Sequence, residues 1–231
     1  MIASTNQIVL VTDDSKLMLY DTSLAFIDRV DVLKFTDEHL NDACWSATYG
    51  NVLLLCEYSL WSLDESQPVK LAHVPNGKHV HSHVAASNNY LFVAYDHGEL
   101  IDRWTIQPEW KLDKRWRRSD NEHPYISLHA NDTQLLLYTK TAIHLCTYEL
   151  VIQHAIDLST LSHVYSHFMF LSSHRVWLTV DQHTQRIHYF RSDDDLVRSA
   201  DEISIAAMCV MGDKLVLLTR DDNDVQIVSI E

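Results

Sequence analysis

Glycine is scarce in this chain: four in 231 residues, with no Gly-Gly pair and no Gly-rich loop. Phosphate-cradling loops need glycine so that the backbone can close on the phosphate, and no strand–helix alternation occurs either. Both absences exclude a nucleotide-binding α/β domain. Cysteine is equally sparse. Cys44, Cys56, Cys146 and Cys209 lie far apart and form no CxxC pair, the spacing a zinc site would show. They fall inside apolar strand patterns and read as buried reduced thiols, which points to the cytoplasm. No apolar run approaches the roughly 18 residues of a membrane helix. The opening stretch MIASTNQIVLVTDDSK has neither a basic leader nor a long apolar segment, so no secretory signal is expected. Basic side chains are in deficit, 18 Lys and Arg against 32 Asp and Glu, for a net charge of −14. A field of that sign repels phosphate backbones and anionic membranes, so the expected partners are proteins, with nucleic acid and membranes disfavoured.

What the chain has instead is a repeat. Apolar runs begin at Ile8 (IVLVT), Val52 (VLLLC), Leu91 (LFVAY), Leu135 (LLLYT), Val176 (VWLTV) and Leu215 (LVLLT), at intervals of 44, 39, 44, 41 and 39 residues. A period near 40 in β-branched and aromatic runs is the spacing of β-propeller blades. Each run sits in the same order of pieces. In the third unit VHSHVAA (80–86) precedes the turn SNN, then LFVAY, the turn DHG, LIDRWTI (100–106) and WKLDKRW (110–116). That is four short strands joined by hairpin turns. The spacing predicts an all-β fold: one domain over 1–231, a β-propeller of about six four-stranded blades at 1–35, 36–76, 77–118, 119–158, 159–202 and 203–231. The last unit stops without a fourth strand. A three-stranded blade, a five-bladed or open ring, and a shortened chain are all compatible with that ending. Between the first two units a short helical turn is expected near Thr36–Asn41.

The units LFVAY-turn-LIDRWTI and LLLYT-turn-AIHLCTY resemble blades of the β-propeller superfamily, in the broad group of WD-repeat and NHL-like proteins. The resemblance covers nearly the whole chain. The Gly-His and Trp-Asp pairs of WD-repeat blades are missing, as are the paired glycines of kelch blades. Asn, Asp and Ser take the turns instead. A divergent propeller is what the resemblance implies, and such proteins mostly serve as rigid platforms for binding other proteins. No cofactor is implied. Six-bladed lactonase-like enzymes hold calcium with Glu, Asn and Asp of the first strands, and those residue types are missing from the first-strand cores as aligned here.

Fifteen histidines are many for this length. His79, His81 and His83 alternate, so they share one face of a strand. Aligned by the repeat, His83, His129 and His167 take comparable places on the first strands of three units, which surround the channel of a propeller. Neutral imidazoles converging there would form a metal site, with a channel-mouth enzyme as the functional alternative. The competing expectation is packing between blades, because no carboxylate is aligned with them as a ligand or an orienting partner. The acidic runs Asp193–Asp195 and Asp221–Asp224 read as solvated turns. No GxSxG elbow or HExxH helix occurs.

One basic patch stands against the acidic background: Trp110, Lys111, Lys114, Arg115, Trp116, Arg117 and Arg118, with Trp104 just before it. It belongs to the outermost strand of the third unit. Cations on an edge strand discourage sheet-to-sheet pairing. Trp and Arg are also common anchors of protein interfaces, and basic residues interleaved with tryptophan can hold nucleic acid. The overall expectation is a non-catalytic protein-interaction platform.

Overall fold

The computed structural model describes residues 2–3, 7–11, 16–21, 23, 25–64, 67–71, 81–87, 89–106, 110–118, 123–158, 165–172, 174–181, 183–184, 186–191, 198–199, 205–211, 214–219 and 225–229. In the first two strands, and beyond residue 191 apart from Met208, only the backbone is described.

The described strands group into six sheets. The first holds β1 (Ile2–Ala3), β2 (Gln7–Val11), β3 (Lys16–Asp21) and β4 (Phe26–Asp31). Helix α1 (Val32–Thr36) leads to the second: β5 (Leu40–Ser46), β6 (Asn51–Cys56), β7 (Leu60–Asp64) and β8 (Gln67–Lys70). The third is β9 (His81–Ala86), β10 (Tyr90–Tyr95), β11 (Leu100–Thr105) and β12 (Lys111–Arg117). The fourth is β13 (Tyr125–Ala130), β14 (Leu135–Thr139), β15 (Ala142–Cys146) and β16 (Ile152–Asp157). The fifth is β17 (Tyr165–Leu171), β18 (Val176–Asp181), β19 (Ile187–Arg191) and β20 (Arg198–Ser199). The sixth has three strands, β21 (Ile205–Met211), β22 (Lys214–Thr219) and β23 (Val225–Ser229). In every sheet the strands lie side by side in chain order, the arrangement that short hairpin turns produce.

Each apolar run of the sequence becomes the second strand of its sheet, flanked on both sides. Leu53, Leu54 and Leu55 of β6 are wholly buried, as are Leu91, Phe92, Val93 and Ala94 of β10. A strand covered on both faces needs apolar residues at every position, which is why these segments are continuous rather than alternating. The outer strands β4, β12 and β16 are largely exposed.

The chain divides into two compact units, Ser4–Leu128 and His129–Glu231. In the first, the period of two splits β6 between two cores. Val52, Leu54 and Cys56 pack on Leu17, Leu19 and Val30 of the first sheet. Leu53 and Leu55 pack on Val84, Leu91, Val93 and Trp104 of the third. The second unit repeats the pattern. Leu136, Tyr138 and Leu145 pack with Phe168, Trp177 and Phe190, while Leu178 and Val180 meet Met208. Among the described residues no helix is long and apolar enough to cross a membrane.

The helix differs from expectation. It spans Val32–Thr36 and stops at Asp37, whose φ of 55° is left-handed. Thr36 Oγ1 donates to the Val32 carbonyl at 3.0 Å and accepts from the Glu38 N–H at 3.1 Å, closing the end. The residues expected to be helical, Leu40 and Asn41, open β5 instead. The first strand of the second sheet therefore begins earlier than the sequence pattern suggests, and it includes Asn41 and Asp42.

Candidate interaction surface on the third sheet

Strands β11 and β12 form an antiparallel pair with Leu100 opposite Arg117, Asp102 opposite Arg115 and Arg103 opposite Lys114. A bulge follows, so that Trp104 stands opposite Leu112 and Asp113 falls in the irregularity. Two ion pairs cross this ladder. Asp102 is fully buried, and Arg115 grips it in a fork, Nε to Oδ1 at 2.6 Å and Nη2 to Oδ2 at 2.7 Å. Such a bidentate pair is the geometry in which a buried carboxylate is best compensated. One residue along, the polarity reverses: Arg103 reaches Asp113 at 2.6 Å. The Arg103 guanidinium also lies 4.8 Å from the Tyr90 ring and 5.5 Å from that of Trp116, a cation between two aromatic faces. Burial pushes the Tyr95 hydroxyl far above its usual range, and the charge on Asp102 adds to the effect.

The patch singled out in the sequence is distributed by this geometry. Trp104 is core, 4% exposed, among Leu91, Val93 and Leu100. Trp110 is half-buried and meets the Tyr49 ring edge-on at 5.6 Å. Arg115 neutralises Asp102. Lys114 lies 4.9 Å from the centre of the half-buried Trp116 ring. Arg118 donates its backbone N–H to the Glu99 carbonyl at 2.9 Å. Lys111 and Arg117 are exposed, as is Leu112 between them. Reading β12 alone missed Asp102, Arg103 and Asp113. The signal was the inverted order of charges on adjacent strands, Asp-Arg facing Asp…Arg, legible only once the register is known.

The histidines separate. His83, on β9, has Nδ1 3.7 Å from Oδ2 of Asp42, and the same oxygen accepts the Val84 N–H at 2.9 Å. This corrects two expectations: a carboxylate does accompany an aligned histidine, and an acidic residue does lie on a first strand. Asp42 shares its strand face with Cys44 and Ser46, two and four residues on; beginning β5 too late hid it. Burial and the nearby Asp42 charge push the Cys44 thiol well up. His129 packs its ring 5.6 Å from Phe168. His167 lies on β17 and His81 on β9, but their side chains fall outside the described residues, as do His79 and both acidic runs. Among the described residues no three His, Cys, Asp or Glu side chains are arranged to hold a metal. A polar cluster not anticipated joins the fourth and fifth sheets. Buried Tyr165 places its hydroxyl 3.4 Å from Nδ1 of buried His188 and donates its N–H to the Tyr138 hydroxyl at 3.1 Å. Nearby, buried Asp181 accepts from the His183 N–H at 2.9 Å and the Thr184 hydroxyl at 2.6 Å, fixing the turn after β18.

No family model matches the sequence, and no curated protein matches it. Solved structures do. A streptogramin B lyase superposes with a TM-score of 0.66 at 11% identity, covering 100% of this chain and 82% of its own. The β-propeller domain of Cps50 (Swd1) from Myceliophteria thermophila gives 0.62 at 10% identity, covering 98% and 93%. The chain has the β-propeller fold. YCF48 from Cyanidioschyzon merolae gives 0.57 at 12% identity over 80% of this chain, which spans 65% of that protein. At such identities the likeness carries the propeller architecture and no activity. In its sheet β12 is the end strand, fourth in chain order.

Proposed function

We propose that this propeller is a non-catalytic protein-interaction platform and that its contact surface includes the rim along β12. Each of the six sheets is read as one blade. The observation that carries the proposal is the state of β12. It is seven residues long, exposed along nearly its whole length, tied to β11 by two crossed ion pairs, and predominantly cationic in a chain of net charge −14. A rigid, charged strand of this kind loses little entropy on docking and attracts acidic partners. Support for a non-catalytic role comes from the buried acids among the described residues, which hold structure: Asp102 holds Arg115, and Asp181 holds its turn. The unbridged thiols of Cys44, Cys56 and Cys146 support a reducing compartment such as the cytoplasm.

The test is affinity capture with the wild type and with Lys111→Glu/Arg117→Glu, which spares both ion pairs. The platform reading expects a discrete set of captured proteins, with part of that set lost in the variant. Capture of no protein above background by the wild type contradicts it.

A second reading, metal or small-molecule chemistry at the first strands, is supported by the Asp42 carboxylate lying 3.7 Å from Nδ1 of His83, because metal-binding histidines commonly have a carboxylate neighbour. Elemental analysis of untagged protein tests its metal form: about one equivalent of zinc or iron supports it, and metal-free protein removes that form.

A further inference from the structure

We infer that the open edge of β12 takes up a further strand, an extended acidic segment of a partner protein, by β-strand addition. The inference rests on the platform reading and specifies how the partner docks.

The hydrogen-bond phase of β12 sets the geometry. In an antiparallel ladder, opposed residues alternate between pairs that exchange backbone hydrogen bonds and pairs that do not. The Arg118 N–H bonds to the Glu99 carbonyl, so that pair belongs to the bonded set. The next pair, Leu100 with Arg117, is then non-bonded, and so is Asp102 with Arg115. The backbone N–H and C=O of Arg115 and Arg117 therefore point away from β11, toward the open side, because among the described residues β12 ends its sheet. The bulge at Asp113 breaks the phase, which confines the regular template to residues 114–118. That length seats a short segment rather than a whole sheet.

Among the fourth strands, as far as the described residues go, β12 is the longest: β4 and β16 have six residues, β8 four and β20 two. It is also held before any partner arrives. Asp102–Arg115 and Arg103–Asp113 fix the strand, and Trp116 is half-buried beside Arg103. Preorganisation of this kind lowers the entropy lost on binding.

The side chains choose the occupant. Arg117 projects on the face of Asp102, while Lys114 and Trp116 occupy the other face. An incoming strand thus meets a cation on one face and a cation beside an indole on the other. It is best matched by acidic residues flanking an apolar one. A second β12 is disfavoured by like charge. Nucleic acid offers no backbone N–H to the outward carbonyls of Arg115 and Arg117.

The probe is a fluorescein-labelled peptide of alternating glutamate and valine, about seven residues long to match one strand. Binding is followed by anisotropy, together with amide hydrogen exchange by NMR. The peptide is expected to slow exchange at the Arg115 and Arg117 amides and to leave Trp116 unchanged. Arg117→Pro removes an outward donor without touching the β11 ladder. It is expected to weaken binding about tenfold or more, against about two- to threefold for Arg117→Gln. Three results overturn the inference: no binding, equal binding by the proline variant, or tighter binding of oligothymidylate than of the peptide. None of these touches the platform reading, because affinity capture scores partners however they dock.

Discussion

The Arg115 guanidinium closes over the carboxylate of Asp102 in a two-pronged pair, at 2.6 and 2.7 Å, and Asp102 has no exposed surface. A residue that reads in sequence as part of a surface patch is thus the counter-ion of a buried charge. Removing it leaves Asp102 desolvated and unpaired. Arg115→Ala is expected to cost about 2–3 kcal/mol, less than for a wholly buried pair because half of the Arg115 side chain already lies in water. The double variant Asp102→Leu/Arg115→Met is expected to recover most of that loss, since a packed apolar pair replaces an ion pair at little cost. Lys111→Ala, on the exposed strand, is expected to stay within about 0.5 kcal/mol of wild type. Urea denaturation midpoints check all three.

Asp42 links the second and third sheets through the Val84 N–H and His83. Val84 is buried, so losing the acceptor strands a donor away from water. Asp42→Ala is expected to lower stability by about 1–2 kcal/mol, and Asp42→Asn, which keeps an acceptor, by less. Thermal melts of the two variants give the comparison.

Two glycines with positive φ differ in their surroundings. At Gly98 (φ +81°) an added Cβ would lie 2.7 Å from Cβ of Tyr125, whereas at Gly50 (φ +73°) it would meet nothing within 4 Å. Gly50→Ala is expected to cost about 1–2 kcal/mol, from backbone strain alone. Gly98→Ala adds a clash and is expected to cost clearly more. Equal losses in denaturant midpoint would contradict the packing of Tyr125 on the turn at Asp96–Gly98.

Burial raises the thiols of Cys56 and Cys146 from 9.0 to about 12. The folded state holds these protons after the unfolded state has lost them. Their contribution is complete below about pH 9 and is lost progressively as pH rises toward 12. The raised hydroxyls of buried Tyr95 and Tyr165 act in the same direction. Melting temperature is expected to fall increasingly above pH 9, and less steeply in Cys146→Ala once its cavity cost is subtracted. A flat profile between pH 9 and 11 would contradict this burial.

The repeat made the strands readable because interior strands such as β6 and β10 are apolar at every position, a signal that survives without any knowledge of pairing. The start of β5 was harder. Asn41 and Asp42 look like turn residues, and only the left-handed stop at Asp37 pushes them into a strand. The same error hid the carboxylate beside His83. The basic patch is only partly legible for another reason. A run of charges along one strand is visible in sequence, but its compensation by Asp102 depends on cross-strand register, 13 residues away. Trp104 looked like part of the patch by proximity, yet it lies on β11 and faces the core.

The central claim is that the β12 rim meets a protein. Its most direct test is photo-crosslinking in cells with p-benzoylphenylalanine at position 112, replacing exposed Leu112, and at position 152, replacing exposed Ile152 on β16 as a control. A discrete protein adduct is expected from position 112, absent from position 152 and lost when Arg117→Glu is added. Adducts of equal yield from both positions, or none from position 112, would contradict it.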